Sequence, residues 1–477
     1  MSSHAYLYSL LENEGVVRRD LPAASPAPNL ALMATEVEQE AFEARARASA
    51  RNLLFLEALQ PPRPQQPSLV SSSEGQIKAM LLTIPFGTTV GDFEAIYRRL
   101  FESLPDYTRF ICLVNTDTKA TVEQWLSEYS HSQTPIVIEA PNYVGFSIWA
   151  QDAYAVCSTS DEKIYIIEPL SFLRYADAVI ADFVAAATDI DGFQVPLYFQ
   201  GGNILIGDDF WLIGIDYPTN TLNYIHDAIF PDPGETPQAL VRRLFQENLD
   251  VSRELIYVGS PTPVPTQDVV LVMEEGKYFV DMVFQGNKDG TAQPMFHIDM
   301  FMTLAGRNTE GKYRILVGDP SLAPPAPSEL TATYSMQIVY DAIARVLPSD
   351  RFEVIRNPLP LTYASRKISV EALNRPQDRK LYEIYLALRN AGLTEVDLRS
   401  WYFATANNAL VEITSAARRV WLPTYGYDDY SYLEESDNRN REIWENMGFE
   451  VTLLPNFHRL ARGLGAVHCI QKYIERG

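Results

Sequence analysis

Four side chains that could do chemistry stand among apolar residues in this sequence. Cys469 lies in the closing stretch GLGAVHC, Asp152 lies in IWAQDAYAVC, and His297 and Asp299 lie in MFHIDMFMTLAG. They represent a nucleophile, a general acid or base, and two anions. Burying several such groups without a use would be costly, so the set indicates a site. In an extended segment His468 would point away from Cys469, which predicts a supporting role for it.

The chemistry of this set favours a cationic substrate. Two carboxylates near one thiolate would repel it unless a cation lay between them. A guanidinium is planar and carries five N–H donors, and its central carbon is open to attack by a thiolate. Each residue taken alone also has a structural interpretation, such as a capping aspartate or a cysteine that fills the core. The His-x-Asp spacing could bind a metal, but no third ligand is evident, so we expect no metal and no cofactor.

Two stretches could position these groups. His297 and Asp299 are two residues apart, so on a strand both would point to the same face. Asn203 follows two glycines in FQGGNILIGDDFWLIG, which predicts a pair of strands with Asp208 and Asp209 in the turn between them.

The remaining sequence alternates between short apolar strands and amphipathic helices. KAMLLTIP and TRFICLVN are typical strands, and GDFEAIYRRLFESL between them is a typical helix. Strand-strand-helix-strand units repeat four or five times, which predicts an α/β fold and a propeller-like body. Residues 1–60 look helical and 61–75 are rich in Pro and Ser. We therefore predict an N-terminal helical extension with a linker over 1–75, and one catalytic domain over 76–477.

Composition excludes some partners. The 39 basic and 61 acidic residues give a net charge of −22, which disfavours nucleic acid and permits attraction of cations. Three cysteines suggest no disulfide framework and suit a reducing compartment. We see no signal peptide and no apolar run of about 18 residues. The expectation is a cytoplasmic protein without a membrane partner, and a homo-oligomeric state is left open.

Five blocks, in order over roughly residues 80–470, resemble one superfamily. They are WAQD ending at Asp152, the Gly-Gly-Asn ending at Asn203, FHIDMF, the stretch YFATANNALVEIT followed by VWLPTYG, and GAVHC. The set resembles the guanidino-group-modifying enzymes of the pentein fold, which include agmatine deiminases, arginine deiminases, peptidylarginine deiminases and amidinotransferases.

This resemblance implies a fold of about five ββαβ units around a pseudo-fivefold axis. It implies Cys469 as the nucleophile and His297 as the general acid and base. Asp152 and Asp299 would bind the guanidinium nitrogens, and Asn203 would be a pocket residue. Trp149, the first residue of the WAQD block, is also expected to line the substrate site.

The implied reaction is hydrolysis of a guanidinium group, with release of ammonia. The substrate would be arginine, agmatine, a peptidyl-arginine side chain or a related guanidine. Gln151 stands where agmatine deiminases have Arg, and Ala466 stands where they have Asn, so the choice of guanidine stays open. An amidinotransferase that passes the group from arginine to an amine is the alternative, and a retired guanidine-binding protein is a second one.

Overall fold

The structure is a computed structural model that describes Ser3, Tyr6, Leu7, Leu10, Glu36–Arg51 and residues 63–477. Within these residues it is a mixed α/β protein. The strands are β1 Ser68–Leu69, β2 Ile77–Ile84, β3 Arg109–Asn115, β4 Ile136–Ala140, β5 Ala155–Ser158, β6 Ile164–Glu168, β7 Asp191–Gln194, β8 Ile204–Ile206, β9 Phe210–Gly214, β10 Glu254–Val258, β11 Asp268–Glu274, β12 Lys277–Val283, β13 Met302–Arg307, β14 Tyr313–Asp319, β15 Phe352–Pro358, β16 Leu361–Ser369, β17 Glu395–Phe403, β18 Leu410–Ile413, β19 Arg418–Pro423, β20 Glu450–Leu454 and β21 Gln471–Arg476.

Helices connect these strands. The α-helices are α1 Glu36–Arg51, α2 Asp92–Ser103, α3 Thr116–Ser127, α4 Ile180–Ala187, α5 Asp216–Ile225, α6 Pro237–Leu249, α7 Thr331–Tyr334, α8 Gln337–Val346, α9 Arg379–Asn390, α10 Glu434–Asn446 and α11 His458–Ala461. Short 3-10 helices span Tyr175–Val179, Gly201–Asn203, Ile298–Met300, Pro320–Leu322, Val370–Leu373 and Asp428–Leu433. None of the helices in the described part of the chain is long and apolar enough to cross a membrane.

One pattern recurs in five of the six sheets. A strand pairs antiparallel with the next one, and that strand pairs parallel with a third, as in β8-β9-β10, β13-β14-β15 and β18-β19-β20. Strands β5-β6-β7 and β21-β2-β3 follow the same order. At least one α-helix lies between the second and third strand of each unit, because a parallel connection needs a crossover. These are ββαβ units, and their arrangement around a pseudo-fivefold axis stays a prediction.

The sheet β21-β2-β3-β4 joins the two ends of the described body. Strand β2 pairs parallel with β3 on one edge and antiparallel with β21 on the other. Its sequence IKAMLLTI is buried almost throughout, as expected for a strand with neighbours on both sides. Cys469 lies two residues before β21, the edge strand of this sheet.

A sixth sheet, β11-β12-β17-β16, flanks the fourth ββαβ unit and was not predicted. It has its own apolar cluster with α9, and Leu7 lies in this cluster. Helix α1 packs elsewhere, with Phe42, Ala46 and Ala50 in the cluster around β8 and β9. Strand β1 pairs with β5, so part of the Pro- and Ser-rich stretch belongs to a sheet. The predicted domain boundary at residue 75 stays a prediction.

Most of the predicted strands and helices are confirmed. Their hydrophobic patterns are local, so the sequence alone indicates them. KAMLLTIP and TRFICLVN form β2 and β3, and GDFEAIYRRLFESL forms α2 with one apolar face. Strands β8 and β9 form the predicted antiparallel pair, with Asp208 and Asp209 between them.

Candidate functional site

Asp152 is held by an arginine that the sequence did not single out. Its segment is a turn between β4 and β5, and the residue is 2% exposed. The Arg174 guanidinium donates to Asp152 Oδ2 over 2.8 Å and to Asp177 Oδ2 over 2.6 Å. Asp177 also accepts from the Ser147 amide and hydroxyl, so both ends of the stretch from Ser147 to Asp152 are fixed. Burial raises the pKa of Asp152, and Arg174 opposes that shift.

Gly202 allows the three parts of the site to approach one another. A Cβ at this position would lie 2.6 Å from His297 Nδ1 and 3.1 Å from Asp152 Oδ1. Contacts that close would force both catalytic candidates to move, so only glycine fits between them.

Asn203 supports the segment that carries His297. Its Oδ1 accepts from the Ile298 amide over 3.1 Å and from Gln293 Nε2 over 2.8 Å, while its Nδ2 donates to the Gly214 carbonyl. The side chain is fully buried. These contacts give Asn203 a positioning role, and its predicted contact with substrate stays a prediction.

The expectation that FHIDMF is a strand is wrong. Ile298–Met300 forms a 3-10 helix, and β13 begins only at Met302. Met295 and Phe296 have φ of 54° and 53°, a left-handed conformation that a regular strand excludes. The Ile298 amide is also taken by Asn203, so it makes no strand ladder.

His297 is fully buried and held in a defined orientation. Its Nε2 lies 2.8 Å from Gln200 Oε1, and its Nδ1 lies 3.7 Å from Asp152 Oδ1. Because the Gln200 oxygen accepts, Nε2 carries the proton of the neutral ring and Nδ1 is free to act as a base. Burial lowers the pKa of His297 to about 3, with Asp299 opposing that shift.

The Cys469 turn brings two groups onto one carboxylate oxygen. Asp299 Oδ2 lies 2.7 Å from His468 Nδ1 and 3.7 Å from Cys469 Sγ. The chain turns at residues 467–470, so the expectation that His468 points away from Cys469 in an extended segment is wrong. Burial raises the pKa of the Cys469 thiol well above its usual value, and Asp299 and Asp152 raise it further.

Trp149 lies behind this turn. Its side chain is buried, and a Cβ on Gly465 would overlap its ring. Trp149 therefore packs against the glycine turn that precedes Cys469. Its predicted contact with substrate stays a prediction.

Asn408 and Lys472 also reach the site and were missed. Asn408 Nδ2 lies 3.1 Å from Cys469 Sγ, and its sequence signal was the block YFATANNALVEIT, in which the residue itself was not singled out. Lys472 is buried on β21 with Nζ 3.5 Å from the Gln151 carbonyl. Burial lowers the pKa of Lys472 to about 7, and Asp152 and Asp299 oppose that shift.

Three buried polar atoms of these residues have no hydrogen-bond partner in the described chain. They are Asp152 Oδ1, Asp299 Oδ1 and His297 Nδ1. Two of them are carboxylate oxygens that can only accept while ionised, so both lack a donor. In the same residues, no group of three His, Cys, Asp or Glu side chains could hold a metal ion. A reaction without a metal or cofactor stays a prediction.

Comparison with known proteins shows the fold. No family model and no curated protein matches the sequence. A solved structure provisionally assigned as an agmatine deiminase matches with a TM-score of 0.51 and 14% identity, over 86% of this chain and 96% of that chain. The described chain therefore shares its fold with that solved structure, and the predicted resemblance is confirmed as a likeness of fold.

Two further solved structures are similar at lower TM-scores. The agmatine deiminase of Enterococcus faecalis matches with a TM-score of 0.49 and 10% identity, over 86% of this chain and 96% of that chain. An amidinotransferase from Microseira wollei, from the saxitoxin biosynthetic pathway, matches with a TM-score of 0.32 and 10% identity, over 87% and 98%. Within the described structure, His297 lies beside Asp152 and Cys469 lies beside Asp299, while their predicted roles stay predictions.

Proposed function

We propose that this protein hydrolyses a guanidinium group to a ureido group and ammonia, with Cys469 as the nucleophile. The observation that carries the proposal is the set of unpartnered buried atoms, Asp152 Oδ1, Asp299 Oδ1 and His297 Nδ1. A guanidinium has donors enough for both carboxylates at once, and it neutralises charge that burial makes unfavourable.

Electrostatics favour a cation at this position. The carboxylates of Asp152, Asp177 and Asp299 are all buried, and Arg174 is the permanent cation bonded to two of them. Lys472, whose pKa is lowered to about 7, adds only part of a charge near neutral pH. A bound guanidinium therefore enters a region of net negative charge.

The bound cation would also activate the nucleophile. The thiol of Cys469 holds its proton in the free protein, because burial and two carboxylates raise its pKa. A positive charge between Asp152 and Asp299 offsets both carboxylates and favours the thiolate. The thiolate thus forms when a substrate is present.

The reaction then proceeds in two steps. The thiol proton passes to His297 Nδ1 and Cys469 Sγ attacks the guanidinium carbon. His297 Nδ1 then gives that proton to the leaving nitrogen as its C–N bond breaks. The product is ammonia and an amidino-thioether on Cys469. His297 next accepts a proton from water, whose oxygen attacks the same carbon, and the thiolate leaves as the ureido product forms. Burial lowers the pKa of His297 to about 3, so the ring is neutral near pH 7 and Nδ1 is unprotonated when each step begins.

A product assay tests this function. Purified protein is offered agmatine, arginine and an arginine-containing peptide, with and without an amine acceptor, and both ammonia and the organic product are measured. We expect equal amounts of ammonia and ureido product, independent of the acceptor, and none from Cys469→Ala. A product that depends on the acceptor and forms without ammonia would contradict hydrolysis, and binding without turnover would contradict catalysis.

A further inference from the structure

Asn408 makes more contacts to the Cys469 turn than its place in the sequence predicts. It lies between β17 and β18 and is fully buried. Its Oδ1 accepts from the amides of Ala466 and Cys469 over 3.0 and 3.1 Å. Its backbone carbonyl accepts from the His468 amide over 3.3 Å. One residue therefore fixes the turn from Ala466 to Cys469.

These bonds determine the orientation of the amide group. Two backbone N–H groups face one end of the side chain, so that end must be the oxygen. The other end is then the NH₂ group, and Nδ2 lies 3.1 Å from Cys469 Sγ. An amide nitrogen can only donate, so this contact is stronger to a thiolate than to a thiol. The two bonds to Oδ1 also polarise the amide and strengthen its N–H donors.

The second side-chain contact of Cys469 has the opposite effect. Asp299 Oδ2, 3.7 Å from Sγ, can accept the thiol proton but repels a thiolate. In the described part of the chain, Asn408 supplies the side-chain hydrogen bond that lowers the pKa of Cys469, together with the Ala466 amide. The position of the sulfur and its ionisation thus depend on the same residue.

We propose that Asn408 is a catalytic residue that donates a hydrogen bond to the Cys469 thiolate and holds it in place for attack. The proposal deepens the proposed function and rests on it for the reaction. The ionisation of Cys469 can nevertheless be measured without turnover, so the two can fail separately.

The neighbouring Asn407 provides a matched control. It is also a buried asparagine, and its side chain exchanges hydrogen bonds of 3.0 and 3.1 Å with Asn357. No described hydrogen bond joins Asn407 to Cys469. Asn408→Asp keeps the oxygen that accepts the two amides and loses the donor to sulfur, while Asn407→Asp makes the same chemical change one residue away. Asn408→Ala adds a variant without a new charge.

The test measures the pH at which Cys469 ionises in the full chain. Thiolate absorbance is titrated in the ultraviolet with Cys469→Ser subtracted, and the pH dependence of alkylation by iodoacetamide is followed in parallel. Cys112 and Cys157 are also buried thiols, and the subtraction of Cys469→Ser removes their contribution to the absorbance. Melting curves identify variants that do not fold.

We expect the midpoint to rise by about one to two pH units in Asn408→Asp and Asn408→Ala, that is, tenfold to hundredfold less thiolate at a given pH. Asn407→Asp should keep the parent midpoint. An unchanged midpoint in folded Asn408 variants would overturn the proposal, as would an equal rise in Asn407→Asp. If the midpoint of Cys469 ionisation rises in the Asn408 variants but the parent protein deiminates none of the substrates, the hydrogen bond from Asn408 to the thiolate is supported and the proposed function is rejected.

Discussion

Asp152 and Asp299 are two buried carboxylates in one site that are held in opposite ways. Asp152 Oδ2 bonds a guanidinium, that of Arg174, over 2.8 Å. Asp299 Oδ2 contacts His468 over 2.7 Å and the Cys469 thiol over 3.7 Å. Each keeps its Oδ1 without a hydrogen-bond partner in the described residues.

The difference separates binding from activation. Arg174 is charged at every pH of interest, so the charge on Asp152 is permanently balanced on one side. Asp299 has no arginine partner among the described contacts, and its charge acts directly on the nucleophile, 3.7 Å away. Under the proposed function, both carboxylates bind the substrate. The charge of Asp299 also keeps the Cys469 thiol protonated until the cationic substrate is bound.

Replacing each carboxylate by its amide should produce the largest effect. Asp152→Asn and Asp299→Asn each remove a charged contact to the guanidinium, and we expect kcat/KM to fall by about 10²- to 10⁴-fold. The two should differ in the free protein, because Asp299→Asn removes the nearer like charge and lowers the pKa of Cys469 more. Steady-state assays and thiol titration measure both, and equal pKa values in the two variants would contradict the comparison.

Removing the partners of the carboxylates should affect stability unequally. Arg174→Gln leaves Asp152 and Asp177 buried without their cation, so we expect a loss of about 3–5 kcal/mol in the free energy of unfolding. His468→Gln keeps a donor for Asp299 and should cost about 1 kcal/mol. Urea denaturation measures both, and a larger loss for His468→Gln would show that the permanent cation is not the stronger support.

His297 should make the folded protein sensitive to acid. Its pKa is lowered from 6.5 to about 3, so between these values the unfolded state binds more protons and stability falls as pH falls. From about pH 7 to about pH 5 this contribution is about 2 kcal/mol, and His297→Gln should remove it. Denaturation at both pH values measures the difference. His226→Gln, the same substitution at an exposed position, is the control.

A substitution in helix α1 should have the smallest effect on kcat/KM. Packed aromatic rings connect this helix to His297, which lies beside Asp152, and among the described residues they do not reach Cys469. Ring centroids lie 5.1 Å apart for Phe42 and Tyr198, 5.2 Å for Tyr198 and Tyr217, and 6.0 Å for Tyr217 and His297. Phe42→Ala should loosen this packing and lower kcat/KM less than tenfold, with the pKa of Cys469 unchanged. Arg47→Ala, at an exposed position of the same helix, is the control and should keep the parent's kcat/KM. A shift in the Cys469 pKa in Phe42→Ala would show that the packing near Asp152 is coupled to the Cys469 turn.

The strands and the helices could be predicted from sequence because their signals are local, whereas the roles of the candidate site residues came from a resemblance and stay predictions. Apolar runs such as IKAMLLTI indicate a buried strand wherever they pack. The identity of Cys469 as a candidate came from its chemistry and its glycine-rich context.

The remaining features depend on contacts between distant segments. FHIDMF looks like a strand until Asn203 takes the Ile298 amide, about 95 residues away in sequence. Arg174 sits in an ordinary loop, and nothing in FLRYAD indicates that it reaches Asp152. Asn408 gains its role only because the Cys469 turn closes over it. Such contacts override local preference and leave no pattern of their own.

The pairing of β21 with β2 has a consequence for synthesis of the protein. Strand β2 leaves the ribosome on the order of tens of seconds before β21 has been made, at ordinary rates of translation. During that interval one edge of β2 lacks its partner, so its backbone N–H and C=O groups are open to pairing with other chains, and we expect chaperones to bind the nascent chain. Cys469 precedes β21 and reaches the carboxylates last. We therefore expect incomplete chains to carry the acidic half of the site without a nucleophile, and so to be inactive toward the arginines of other proteins.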